Sequence, residues 1–300
     1  YSGGQYVAGF FYPLNQYLNS ELYPSQRYSN EGEIIHIDQL GVVNNDYEVI
    51  AHEFQHLISY NQKERKKDVT DDTWLNELRS EYAPTYLGYD DEDYDNSNLK
   101  IRVEKFNQHS SDPLTEWKGK IYDYSSINLL AQYMADHYGA QFFREMMKSN
   151  DSGIQSFNDS LRAIGSSKTF EEIFGDWAVA SYINKIEKFP LYGYKNPHLR
   201  EVKANPTAAY QVSNNLILQR SALAKEWTPF WYEIEPMGTG YQLKLKFEGQ
   251  PERGTFKLRL IKLDIDGNYS VNDWALIDNR GETLVRGFGE TIKKVIIIPY

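Results

Sequence analysis

The sequence predicts an α+β protein with a helical first part and a β-rich second part. Three observations carry this. Up to about Glu187, apolar residues recur at spacings of three and four. From about Tyr210 the period falls to two. Gly, Pro, Asn and Asp then punctuate the chain at short intervals, the pattern of a small sandwich. A length of 300 residues fits one large domain or two ordinary ones. The expected division is 1–195 as a first domain and 205–300 as a C-terminal antiparallel, β-sandwich-like domain. The linker, 189–206, holds three prolines.

Residues 33–38 (EIIHID) alternate and predict a strand. Residues 46–62 predict a helix, with Val49, Ile50, Phe54, Leu57 and Ile58 at helical spacing behind Asp46 as N-cap. Residues 72–87 predict a second helix, entered through Asp71-Asp72-Thr73 and left at Gly88. A third, 125–138, stops at Gly139, where a C-terminal glycine belongs. Segments 140–150, 153–164 and 169–185 read as three more. The acidic run 90–95 (DDEDYD) reads as a solvated loop. In the second region 230–235, 241–247, 255–263, 274–278 and 293–298 read as strands. Turns are expected at 238–240, Gln250-Pro251, 266–268 and 279–281.

Composition excludes several classes of function. A net charge of −10 argues against nucleic acid and anionic membrane surfaces as partners, because both require a basic face. The absence of cysteine removes disulfides, thiolate nucleophiles and Cys-ligated metals. No apolar run approaches the roughly 20 residues of a membrane-spanning helix. The chain begins at Tyr1 without Met, which fits a processed or truncated form and is compatible with secretion.

One constellation carries chemistry. His52-Glu53-Phe54-Gln55-His56 is an HExxH pattern, and on a helix positions i and i+4 share a face, so both imidazoles can reach one ion. Zinc accepts such nitrogens, and a catalytic site adds a third protein ligand while leaving one position open. Glu53 can then serve as general base toward a metal-activated water. About twenty residues on, WLNELRSEYA (74–83) offers Glu77, which a second helix can point at the same ion. One turn further, Glu81 can accept the spare N–H of a ligand histidine. Two carboxylates at i and i+4 repel mildly unless a cation lies beside them.

HEFQHLI followed by WLNE and SEYA resembles the gluzincin clan of zinc metallopeptidases, and most closely the hyicolysin family of bacterial secreted enzymes. The match covers about 40 residues, 49–87, with weaker similarity through 124–139 and 174–183 (FGDWAVASYI). The resemblance implies a zincin-type catalytic domain, a small mixed sheet plus helices with HExxH on one of them. It implies His52, His56 and Glu77 as zinc ligands, Glu53 as base and Glu81 as the carboxylate behind a ligand histidine. The family pattern usually has Gly after the ligand Glu, where this chain has Leu78. Tyr124 resembles the tyrosine that supplies the oxyanion donor in clan aminopeptidases, with Tyr122, His109 and His137 as alternatives. The resemblance also implies that strand 33–38 is an edge along which an extended peptide can add. His36 reads as a strand-face residue and His198 as inert.

The expected protein is therefore a secreted, monomeric zinc endopeptidase acting on proteins or peptides. Calcium is a second candidate cation, at 90–95 or at Asp264–Asn268, although a hairpin turn explains the latter segment better. An aminopeptidase would need a pocket for a free amine, and no GxMEN-like segment precedes His52. A non-catalytic binding or adhesion protein on the same scaffold would have no need to keep Glu53.

Overall fold

The computed structural model describes residues 7–25, 27–39, 41 and 46–300. It is a mixed α+β structure whose chain groups into two compact units. The first comprises 1–103 and 119–170, the second 104–118 and 171–300. The division expected from the sequence, 1–195 and 205–300, differs from this grouping.

In the first unit, β1 (Gly9–Phe11) pairs antiparallel with β2 (Ile35–Ile37), in the register Gly9↔Ile37 and Phe11↔Ile35. Helix α1 (Tyr47–Ser59) starts at Asp46, whose carboxylate accepts the Val49 N–H at 3.4 Å. It runs on through a π-helical turn, Tyr60–Arg65. Of its expected apolar face, Leu57 is buried but Phe54 is 52% exposed. The turn that Phe54 would have covered instead buries Ala51 and Glu53.

Helix α2 (Thr73–Leu87) ends on Gly88 at φ 84°, a left-handed conformation that a side chain would strain. Asp72 precedes it without capping it and takes the indole N–H of Trp74 at 3.3 Å. Helix α3 (Asn98–Gln108) was not expected. Leu99, Val103 and Phe106 are buried at i, i+4 and i+7, but lysines, arginine and glutamate between them mask the period. Helix α4 (Ile121–Tyr138) begins four residues before its predicted start. Asp123 reaches back to the Lys120 N–H at 2.7 Å and fixes that earlier start. Helices α5 (Ala140–Lys148) and α6 (Gly153–Ala163) follow and pack on one another, while α2 lies between α1 and α4.

In the second unit, α7 (Phe170–Ile183, all but its first residue in this unit) buries Phe174, Trp177, Ala178, Val179 and Ala180 completely. The sheet has seven strands: β3 (Ala208–Val212), β4 (Tyr232–Pro236), β5 (Tyr241–Glu248), β6 (Leu258–Asp264), β7 (Tyr269–Asp273), β8 (Arg280–Phe288) and β9 (Ile292–Pro299). Their order is β3-β4-β9-β6-β7, with β5 paired to β8 and β8 touching β9 at Phe288↔Ile292. Val212, Ile234, Leu245, Leu258, Leu260, Trp274, Val285, Phe288 and Val295 form the core between these strands.

Three expectations change here. β3 pairs with β4 in parallel, so the sheet is not wholly antiparallel. Residues 274–278 are not a strand; β7 precedes them, paired to β6 across the Asp264–Asn268 turn. Arg280 and Gly281 begin β8 rather than a turn. The reversal sits at Asp278-Asn279, both at positive φ (48° and 60°), and closes a two-residue hairpin at Ile277↔Arg280.

A candidate metal centre

Helices α1 and α2 bring three donors together. The Nε2 atoms of His52 and His56 lie 3.0 Å apart, and Glu77 Oε2 is 3.3 Å from the first and 3.5 Å from the second. His52, His56 and Glu77 form the one group of three or more such ligands, among the described residues, that could hold a metal ion. Two properties of the group suit a cation. Three donors each about 2.0–2.1 Å from a tetrahedral ion are separated by roughly 3.3 Å, which these spacings match. The Glu77 Oε2 atom is also buried with no hydrogen-bond partner, an arrangement that is costly unless something positive meets it. The side chains of the three residues keep 13–16% exposure, which leaves the cluster open on one side.

The other face of each imidazole is held. His52 Nδ1 is 3.5 Å from Glu81 Oε1. His56 Nδ1 lies 3.3 Å from Asn76 Oδ1 and 3.1 Å from Ser80 Oγ. Such contacts fix the ring tautomer and keep Nε2 turned to the shared point. The Glu81 side chain is fully buried and is itself paired. Arg102 grips it with two bonds, Nε at 2.7 Å and Nη2 at 2.9 Å, and the Asn128 amide donates at 3.2 Å. A buried carboxylate needs this pairing to stay ionised.

Tyr124, on the first turns of α4, lies under the Arg102 guanidinium at 4.9 Å. Burial and the carboxylates of Glu77, Glu81 and Glu53 push its phenol well above the usual tyrosine range, so it remains a proton donor. His137 follows Tyr124 by thirteen residues on the same helix, about 20 Å along its axis. It packs on Tyr133 there and does not join the cluster. His109 is exposed, 4.0 Å from Asp112, and belongs to the second unit. Tyr122 lies on α4 two residues from Tyr124, a separation that puts the two on nearly opposite faces.

Glu53 is 8% exposed on the buried side of α1. Burial raises its pKa, while His52, His56 and the Phe11 N–H that bonds its carboxylate pull the other way. For His52, burial opposes protonation, but Glu77 and Glu81 outweigh it and raise the pKa. Burial alone would raise Glu77, yet the neighbouring imidazoles of His52 and His56 bring it down to about 2.

The strand against Glu53 is β1, which the sequence reading missed. A Cβ on Gly9 would come within 2.7 Å of Val49 Cγ1 and 3.0 Å of Glu53 Cγ, so glycine lets this strand lie directly on α1. β2, the strand that was expected, pairs with β1, and there His36 stacks on Phe10 at 4.4 Å and meets Asn15 at 3.0 Å. His198 lies in a short turn of the second unit, where its N–H bonds Asn196. Arg102, Asn76, Ser80 and Asn128 were also missed. Only Asn76, beside Glu77, carried a sequence signal.

Neither acidic segment assembles a cation site among the described residues. Asp91, Glu92, Asp93 and Asp95 are exposed, and buried Asp90 takes the Thr85 hydroxyl. Asp264 is engaged by Asn268 across its hairpin turn, through the backbone N–H at 2.7 Å and the side-chain amide at 3.0 Å.

No helix among the described residues is long and apolar enough to cross a membrane. No family model matches the chain. Over 251 residues the chain is 23% identical to the neutral metalloprotease ShpI of Staphylococcus hyicus. That alignment covers 75% of this chain and 52% of the relative, so the chain spans about half the relative's length. A chain similar over three quarters of its length to a metalloprotease thus also carries a two-histidine, one-glutamate cluster of metal-binding geometry.

Proposed function

We infer that this protein is a secreted, zinc-dependent endopeptidase of the gluzincin type, most like the hyicolysin family. The convergence of His52, His56 and Glu77 at 3.0–3.5 Å, with Glu53 beside them, carries the inference. Its substrates are proteins or peptides, and it works as a monomer. The machinery lies wholly before residue 195, which on this reading is the catalytic domain, with 205–300 as an accessory β-rich domain. Calcium is no part of the proposal, because the Asp264 carboxylate is taken up by its own turn and most of 90–95 faces solvent.

Zinc held by the three ligands would supply Lewis acidity toward a peptide carbonyl and make water a stronger acid. The chain's own residues do the rest. Glu53, raised by burial, takes a proton from water and returns it to the departing nitrogen. Tyr124 keeps its phenolic proton and donates it as a hydrogen bond to the developing oxyanion. β1 lies against Glu53 and offers backbone groups along which an extended substrate can align. Glu81, fixed by Arg102, and Asn76 hold the two imidazoles in register.

Metal content and proteolysis test this together. The purified chain should hold one zinc and cleave an unstructured protein at internal bonds, and a chelator should abolish cleavage. Zinc without cleavage would favour a binding protein. Cleavage confined to free N-termini would favour an aminopeptidase.

A further inference from the structure

Nineteen residues, 213–231, join β3 to β4, although both strands lie side by side. Connections longer than about 12–15 residues without structure of their own are uncommon in compact domains and are usually either functional or linker segments. Within this one, every residue from 213 to 226 is exposed, and 216–225 form neither helix nor strand. The segment begins with a turn, Leu216 N–H to Ser213 O at 3.2 Å with Asn215 at φ 64°. The side chains that follow are apolar: Leu216 at 50% exposure, Ile217 at 92% and Leu223 at 78%, with Leu218 between them. Exposed leucine and isoleucine contribute nothing to the core of this unit. The few tethers along the segment are superficial, Arg220 over the Tyr210 ring at 5.5 Å and Lys225 to Glu116 at 2.6 Å.

A peptidase cleft takes its substrate as an extended strand whose backbone is not already paired, with side chains standing out to be gripped. Ten unstructured residues reach up to roughly 33–36 Å when extended, enough to enter such a cleft while both ends stay anchored. Both ends are anchored firmly. Val212 is in the core, and its carbonyl takes the Met237 N–H at 2.8 Å. At the far end Trp227 O accepts from Leu114 N–H at 2.9 Å, Thr228 is buried and Trp231 is fully buried. Five parallel rungs, Ala208↔Tyr232 to Val212↔Pro236, bind the two strands across the gap.

We propose that 214–226 is a processing site, cut by a second copy of this chain to give a nicked protein whose two fragments stay together. This rests on the peptidase reading above. The cut is a simple hydrolysis: one peptide C–N bond breaks, the water oxygen joins the carbonyl carbon and a proton passes to the freed nitrogen. No other reactant is consumed.

The test takes full-length Glu53→Gln protein as substrate and a trace of zinc-loaded wild type as enzyme, with reduced, unfolded casein as a parallel substrate. The expected result is two fragments with a new N-terminus between 215 and 227, co-eluting under native conditions at the size of the 35.0 kDa chain. Replacing Leu216, Ile217 and Leu218 by Ser in that substrate should slow the cut by about tenfold or more, as lost pocket contacts do. The same substitutions in the enzyme should leave casein cleavage unchanged. Casein digestion with the Glu53→Gln chain left intact, or first cut elsewhere, would overturn the processing site alone. Failure to cleave either substrate would sink the peptidase reading and the site with it. Trypsin gives an independent check: a first cut after Arg220 or Lys225 supports accessibility, and resistance there refutes it.

Discussion

On the proposed function, Glu53 and Arg102 mark two ways in which single side chains would serve the centre. On the proposed reading Glu53 is the base and not a ligand, so Glu53→Gln should retain zinc while kcat falls by about 10²–10⁴, the range set by loss of a general base. Metal analysis and kinetics on one preparation would show it, and wild-type turnover in that variant would remove Glu53 from the chemistry. Arg102 acts through Glu81. Removing it as Arg102→Met leaves a carboxylate with no exposed surface and no countercharge, which should cost about 3–5 kcal/mol of stability. Zinc affinity should weaken by about 10–100-fold as the ring of His52 loses its orientation. The double variant Arg102→Met, Glu81→Gln should recover most of the stability but not the affinity, since the neutral amide no longer accepts as strongly from His52. Denaturant melts with zinc titrations separate the two effects.

The pairing of α1 with β1 is where backbone geometry meets the site. Gly9→Ala places a methyl group 2.7 Å from Val49 Cγ1, an overpacking that typically costs about 1–3 kcal/mol. Because the strand must move off α1, KM for long peptides should rise more than that for short ones. Equal changes would mean β1 does not line the substrate. The helices bearing the three candidate ligands were legible in the sequence for plain reasons. HExxH is a helical spacing, Asp46 caps α1, and Gly88 and Gly139 end α2 and α4 where a left-handed residue is needed. β1 was illegible because three residues, one of them glycine, carry no period, and its reason for being a strand lies in α1. Arg102 was hidden in α3, whose buried Leu99, Val103 and Phe106 were outnumbered by charges. In the sheet, β8 was lost because Arg280-Gly281 looks like a turn, while the reversal needed Asp278-Asn279 at positive φ.

Across the whole chain, the balance of buried carboxylates should show in how stability varies with pH. Burial, partly offset by the Asn98 N–H and reinforced by Asp90, Asp46 and Glu81, pushes Glu48 up to about 7 from an ordinary 4.5. The folded chain therefore binds more protons at this group than the unfolded chain between those values. Its contribution makes stability fall as pH rises from about 4.5 to 7. Glu48→Gln, which keeps an acceptor for Asn98, should flatten that part of the curve, and denaturant melts across this range would detect it. An unchanged slope would mean Glu48 titrates normally. The α+β class and the two-part pattern were visible from periodicity. The parallel β3–β4 pair was not, because pairing across nineteen unstructured residues leaves no local trace. The central claim is a zinc ion held between α1 and α2. Anomalous scattering at the zinc edge from a crystal grown with the metal tests it most directly. A single strong peak about 2.0–2.2 Å from His52 Nε2, His56 Nε2 and a Glu77 carboxylate oxygen is predicted. An empty map at that point, or a peak elsewhere only, would contradict it.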